Sequence, residues 1–290
     1  MKKRLDEKIL SVLKIPTVSR YEYIIRDFIK SWANINNIKC IEDNYNNLYL
    51  IKGTLNNDEY YPCITAHMDT VHKKHIKYIE ENKKLPLKLV KTNNKVKVYC
   101  NKFGVGGDNK CGISIALFLL QKVPKLKVAF FSNEELGMKG SNNLNKNFFN
   151  DIGYVISFDS PEGNRAACSC NQIRLFSDSF YVNKIKKICD AYGFTNFFNE
   201  PFTDIINIKK YINVECMIFG SGYYLPHSDY EFVILNDVKN SAKFGKALIE
   251  ELKFKRYLHN EKFPCKVSFF AKKDDVLKTN INLLIEKIKR

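Results

Sequence analysis

Four short, mostly apolar runs constrain this chain more than any other feature: residues 60–66, 127–132, 154–158 and 214–219. A strand covered on both faces reads as a short continuous apolar run, whereas a half-buried strand alternates. Among these runs lie segments of helical length. Residues 112–121 are almost wholly apolar, which predicts a buried helix, and residues 236–252 are amphipathic and open on Asn236-Asp237. Strands alternating with helices predict an α/β fold, a three-layer sandwich with a mostly parallel central sheet flanked by helices.

The remaining segments fit around that plan. Residues 6–38 read as helices interrupted at Ile15-Pro16-Thr17-Val18-Ser19, with Ile9, Leu10, Val12, Leu13 on one apolar face and Ile24, Ile25, Phe28, Ile29 on the next. Residues 40–52 alternate in strand fashion up to Gly53, and 87–99 predict a hairpin turning at Asn93-Asn94. A helix over 179–192 is expected to stop near Gly193. The tail mixes a possible strand at 266–270 with a final basic helix and offers no chemistry. No internal repeat or low-complexity linker divides the chain. It is expected to form one domain over residues 1–290, with 253–290 as a C-terminal extension.

Composition narrows the class. A hydrophobic content of 45% is ample for a large core, and no apolar run is long enough to span a membrane. The N-terminus is basic but lacks the apolar stretch of a signal peptide. Nine scattered cysteines read as reduced thiols, so a cytoplasmic location is expected. Net charge is +16. The lysines read as spread through the chain, with no zinc finger, RNA-recognition signature or arginine-rich arm. A solvated basic surface, rather than a nucleic-acid site, is therefore the expectation.

The chemistry is concentrated in the loops. After the apolar stretch 126–131 comes Ser132-Asn133-Glu134-Glu135-Leu136-Gly137. On an extended backbone, neighbouring side chains point in opposite directions, so one carboxylate can hold a metal while the other handles a proton. Taken alone, a Glu-Glu pair reads as a solvated turn. Its company changes that reading: His67-Met68-Asp69 upstream, Asp108 after the turn Gly104-Val105-Gly106-Gly107, Asp159 after another strand, and His227 near the end. In parallel sheets ligands collect beyond the carboxyl ends of the strands. These groups converging on one rim would repel severely without cations, and imidazole with carboxylate suits zinc.

The order His-x-Asp, Gly-Gly-Asp-Asn-Lys-x-Gly, Glu-Glu-x-Gly, Asp, His-Ser-x-x-Glu resembles the co-catalytic dizinc exopeptidase clan. That clan includes the tripeptidase called peptidase T, aminoacylases, glutamate carboxypeptidases and several aminopeptidases. The resemblance spans roughly residues 60–252, and its strength lies in five short motifs standing in the family's order. It implies the zinc-peptidase (phosphorylase/hydrolase-like) fold and two zinc ions, which cobalt or manganese could replace. It implies His67 and Asp159 on one zinc, Glu135 and His227 on the other, and Asp108 bridging. Asp69 would fix the ring of His67, and Glu134 would be the general base that relays a proton from a water, activated by metals ~3.5–4 Å apart, to the leaving amine.

Several residues stay outside that set. His72 and His75 lie among lysines and read as an exposed loop. Cys168-x-Cys170 has no second pair at zinc-finger spacing and reads as ordinary thiols. Lys110 does not complete a phosphate loop, so the preceding glycines read as a sharp turn that lets Asp108 reach the metals. Asp204 reads as a residue that shapes the pocket or binds a substrate amine, or else as a helix cap or turn residue. The sequence departs from the family in two ways. Asn109 follows Asp108 where many members carry a second Asp, and residues 160–226 are too few for an inserted lid domain of typical size. The expected activity is zinc-dependent cleavage of an amide in a short peptide, as an aminopeptidase or di/tripeptidase. Deacylation of a small N-acyl substrate and a catalytically silent binding protein stay open as alternatives. A short peptide or small amide is the expected partner, without nucleic acid or membrane, and the oligomeric state is open.

Overall fold

The four apolar runs lie next to one another at the centre of one sheet. In the computed structural model, which describes residues 5–259, the strands in chain order are β1 (Lys39–Glu42), β2 (Leu48–Lys52), β3 (Tyr61–His67), β4 (Lys88–Thr92), β5 (Lys95–Tyr99), β6 (Leu126–Phe131), β7 (Ile152–Ser160), β8 (Arg165–Cys170), β9 (Ile173–Arg174), β10 (Asn196–Glu200), β11 (Cys216–Gly220), β12 (Tyr223–Tyr224) and β13 (Phe232–Ile234). The large sheet runs β1-β2-β6-β3-β7-β11-β8-β10, with β9 on β8. Its centre, β6-β3-β7-β11, is parallel, as expected from the buried apolar runs. Strands β1 and β2 add antiparallel on one side, and β8 reverses direction on the other. Every residue of β3, β6 and β11 is buried, which is why these strands read as continuous runs rather than alternation.

Helices α1 (Leu5–Leu13), α2 (Tyr23–Ile35), α3 (His75–Glu80), α4 (Gly107–Lys122), α5 (Lys186–Tyr192), α6 (Ile205–Tyr211) and α7 (Leu235–Leu252) flank the sheet. The expected buried helix is α4; it lies against β3 and β7, with α1 and α7 packed on it. Helix α5 ends at Gly193, whose φ of +81° closes it as the sequence pattern implied. The hairpin at 87–99 is β4–β5, turning on Asn93 and Asn94 with φ of +45° and +64°. It joins the small antiparallel sheet β12-β13-β5-β4. Cys40, Cys63, Cys100, Cys111, Cys170, Cys189 and Cys216 are free thiols, and no helix among the described residues is long and apolar enough to cross a membrane. The strand and helix expected beyond residue 265 lie outside the described residues.

Two features lock the elements that will carry the site. The Lys110 ammonium is wholly buried and donates to the carbonyls of Leu13 and Ile15, each at 2.9 Å, tying the end of α1 to the start of α4. Burial pushes its pKa down to about 8. Gly112 brings α4 close to β7: a Cβ there would stand 2.2 Å from Asn109 Oδ1 and 2.6 Å from the Phe158 carbonyl. Asn109 Oδ1 itself accepts from the Gly112 N–H at 2.9 Å, so it cannot give way without losing that bond. Gly112→Ala is therefore expected to destabilise the fold by about 1–3 kcal/mol through overpacking, measured by denaturant unfolding; an unchanged midpoint would show that the contact can relax.

Candidate metal centre

Parallel pairing sets the site. Strands β6, β3 and β7 are neighbours running in one direction, so the loops leaving their carboxyl ends share one rim. The register aligns His67 with Phe131 and Thr65 with Ser157, which brings the end of β3 level with Asp159 on β7. His67 Nε2 is 3.0 Å from Asp108 Oδ1, 3.4 Å from Asp159 Oδ1 and 4.0 Å from Glu134 Oε2. His227 Nε2 is 3.3 Å from Asp108 Oδ2 and 3.1 Å from Glu135 Oε1. Asp108 thus turns one oxygen to each imidazole. The groups His67/Asp108/Asp159, Asp108/Glu135/His227 and His67/Glu134/Glu135 each place ligand atoms within 4.8 Å of one another.

The Glu-Glu pair does not lie on extended backbone, contrary to the sequence expectation. Glu134–Leu136 is a single 3₁₀ turn entered through Asn133 at φ +50° and left through Gly137 at φ +86°. A tight turn leaves its first N–H groups without partners inside the turn, and Asp69 supplies them. One Asp69 oxygen accepts from the Glu134 N–H at 2.9 Å and the other from the Glu135 N–H at 3.2 Å. The Ser19 hydroxyl donates to the same carboxylate at 2.7 Å. His67 Nδ1 lies 3.4 Å from Asp69 Oδ1 and closer, 3.1 Å, to the Asp69 carbonyl. Asp69 therefore meets the ring of His67 through its backbone carbonyl, while its carboxylate fixes the turn that presents both glutamates.

A second buried carboxylate does the same for Asp108. Glu231 is fully buried and accepts from the Gly106 N–H at 2.7 Å and the Asp108 N–H at 3.0 Å. Gly106 sits at φ +71°, where a Cβ would come within 2.9 Å of Thr70 Cγ2, so glycine is required for the turn that delivers Asp108. The sequence reading gave Glu231 no role, although it is the glutamate that closes the His-Ser-x-x-Glu motif. It also corrects the reading of His72 and His75 as an exposed loop. Both are buried; His72 Nε2 meets Glu231 Oε2 at 2.5 Å, while the two ring nitrogens of His75 lie 2.9 Å from the Thr17 carbonyl and 3.0 Å from that of Gly104. The lysines around them point outward, and the imidazoles turn inward to buried oxygen atoms. Asp204 is buried in the turn that opens α6, at the N-cap position but without a side-chain capping bond, so it is a turn residue rather than a side-chain cap.

Electrostatics show what this cluster lacks. Burial pushes Glu134 up to about 10; the charge of His67 opposes this, and Asp204, Asp159 and Glu135 add to it. Burial also raises Asp159 and Glu135 above the usual carboxylate range. His227 is raised to about 10 by its contacts with Asp108 and Glu135. His67 is buried, which disfavours its charge, yet Asp159, Glu134 and Asp108 together lift it well above an ordinary histidine. Carboxylates and imidazoles are competing for protons at distances where like charges cannot all persist. The donor set of imidazole nitrogen and carboxylate oxygen fits divalent cations, which would take the place of those protons.

Two outcomes follow. The raised imidazoles keep their protons below their pKa, and a cation must displace them. Divalent-ion affinity is therefore expected to climb between about pH 6 and pH 9, with proton release on binding, measured by calorimetry in buffers of different ionisation enthalpy; a pH-independent affinity would contradict this electrostatic picture. Glu231→Ala leaves two backbone N–H groups unpaired beside Asp108. It is expected to weaken divalent-ion affinity roughly 10- to 100-fold in chelator competition, and unchanged affinity would mean the turn holds without it.

No protein-family model matches the chain, and no curated protein matches it. Solved structures do. Aminopeptidase PepT from Bacillus cereus matches with a TM-score of 0.69 at 12% identity, over 86% of this chain and 98% of that one. A tripeptidase from Staphylococcus aureus matches at 0.65 and 14%, over 85% and 97%. The TET1 peptidase of Pyrococcus horikoshii matches at 0.64 and 16%, over 84% and 99%. At these identities the shared property is the fold, and this chain has the α/β fold of these peptidases.

Proposed function

We propose that the chain is a single-domain member of the dizinc exopeptidase clan that removes the N-terminal residue of short peptides. The observation that carries this reading is Asp108 standing between two imidazoles, with one oxygen toward each and further carboxylates on both sides. His67 and Asp159 would hold one zinc, Glu135 and His227 the other, and Asp108 would bridge them. A single domain is supported by the course of the chain from Asp159 to His227, which adds β8, β9, β10 and β11 to the central sheet before β12 joins the small one. The fold shared with aminopeptidases and a tripeptidase supports peptide substrates.

Bound there, two divalent cations supply Lewis-acid polarisation of the scissile carbonyl and lower the pKa of the attacking water. The protein supplies orientation and proton transfer. Asp69 holds the 3₁₀ turn so that Glu135 and Glu134 present their carboxylates to different tasks. Glu134 accepts a proton from the attacking water and delivers it to the leaving amine, the role of a general base that becomes a general acid. Its burial matters here, because a poorly solvated carboxylate binds a proton more readily than an exposed one. The cleft, about 330 Å³, is completed by Pro161, Arg165, Glu200, Phe202 and Tyr223.

The test separates metal binding from catalysis. Glu134→Gln is expected to retain two zinc ions per chain while turnover falls by about 10²–10⁴-fold or more. Unchanged turnover would remove Glu134 from the mechanism, and fewer than two ions at saturation would overturn the two-metal reading. On a substrate panel, release of free amino acid from unblocked di- and tripeptides, and not from N-blocked ones, supports an aminopeptidase; the reverse selectivity identifies a deacylase.

A further inference from the structure

The positive charge of this chain is not evenly distributed. Residues 73–102 hold ten lysines against two glutamates, whereas residues 103–252 hold sixteen basic and sixteen acidic residues. This count corrects the reading of the lysines as spread through the chain. The basic stretch forms α3, the segment after it and the β4–β5 hairpin. It is built onto the edge of the metal centre: β5 pairs with β13 and β13 with β12, whose Tyr223 lines the cleft.

Two clefts meet at His227. One is the cleft of His67, Asp108, Glu134, Glu135 and Asp159. The other, also about 330 Å³, is walled by Lys73, Lys74, Phe103, Ser228 and Asp229. Lys74 is already engaged, donating to Asp229 Oδ2 at 2.5 Å and to the Lys102 carbonyl at 2.7 Å. Lys73 is exposed, and its ammonium makes no hydrogen bond or ion pair among the described residues, although its carbonyl accepts from the Ile76 N–H at 3.1 Å. Beyond His227 from the proposed metal ligands, the mouth of the site therefore carries an unneutralised ammonium. A short unblocked peptide carries the matching anion, the carboxylate of its last residue.

We propose that Lys73 is a specificity-determining residue that binds a carboxylate on the leaving-group side of the scissile bond, so that the substrates are short peptides with an anionic distal end. The proposal rests on the peptidase reading above. The carboxylate could be the peptide's own C-terminus or an acidic side chain near it, and both present the same chemistry to Lys73. Long-range attraction between the basic stretch and this anion would also speed capture at low ionic strength.

The experiment uses the full-length, zinc-loaded chain and three probes: trialanine, its C-terminal amide, and an amidated tripeptide ending in glutamate. Trialanine is expected to show a lower KM than its amide, with similar kcat. Lys73→Gln is expected to shrink that KM preference roughly 2- to 5-fold, the range of a single exposed ion pair, while Lys73→Arg keeps it and Lys91→Gln on the hairpin leaves it untouched. Higher salt should shrink it in the same direction. Recovery of a low KM with the amidated glutamate peptide shows that a side-chain carboxylate also serves, which supports the proposal. An equal KM for trialanine and its amide, or a preference unchanged in Lys73→Gln, overturns it. Failure to hydrolyse any probe overturns the peptidase reading itself, and the proposal with it.

Discussion

Two buried carboxylates outside the proposed ligand set, Asp69 and Glu231, hold this site together. Each accepts two backbone N–H groups of a loop that carries a metal-competent side chain: Glu134 and Glu135 for Asp69, Gly106 and Asp108 for Glu231. An unpaired buried N–H costs about 1–3 kcal/mol, so neither loop keeps its shape without such an acceptor. Hydrogen bonds to a charged group are the stronger kind, which suits loops that must hold several carboxylates close together. Ser19 and His72 in turn bond to these two carboxylates, which links the segment after α1 and the loop before α3 to the rim of the sheet.

The rim exists because β6, β3 and β7 are parallel neighbours. Antiparallel neighbours would send alternate loops to opposite ends of the sheet and split His67 and Asp159 from the Glu134–Glu135 turn. Parallel pairing requires that each crossover run back along a face of the sheet, and α4, lying against β3 and β7, fills that role after β3. The same helix begins with the turn that delivers Asp108. Core packing and site geometry therefore meet at one place: Gly112 lets α4 approach β7, while Lys110 ties its first turn to the carbonyls that end α1.

The polarity of the cluster is as much a property of the fold as of its residues. Glu134, Glu135, Asp159 and Asp204 would each be an ordinary surface carboxylate if exposed. Brought together and buried, they bind protons more tightly than usual, and that affinity is what a cation would draw on. The surplus of lysine falls outside this core, on the β4–β5 hairpin, on α3 and on the loop before it, where Lys73 and Lys74 line the neighbouring cleft.

Much of this was legible in the sequence, for identifiable reasons. Strands buried on both faces leave uninterrupted apolar runs, so β3, β6, β7 and β11 announced a parallel centre. Paired asparagines at 93 and 94 announced the hairpin because both had to adopt positive φ. The set His67, Asp108, Glu134, Glu135, Asp159 and His227 could be singled out by residue type and order, and the structure brings all of them together. What the sequence could not decide is which polar groups turn inward. His72 and His75 sit among lysines and looked solvent-facing, yet they are buried against oxygen atoms supplied from distant parts of the chain. Glu231 stood in a recognisable motif without a visible task, because its partners are backbone N–H groups more than a hundred residues away. The Glu-Glu pair was expected on extended backbone and lies instead in a 3₁₀ turn, a shape that Asp69 imposes from another loop. Residue chemistry and periodicity are local and survive in the sequence; hydrogen bonds between loops exist only once the parallel sheet has gathered their ends on one rim.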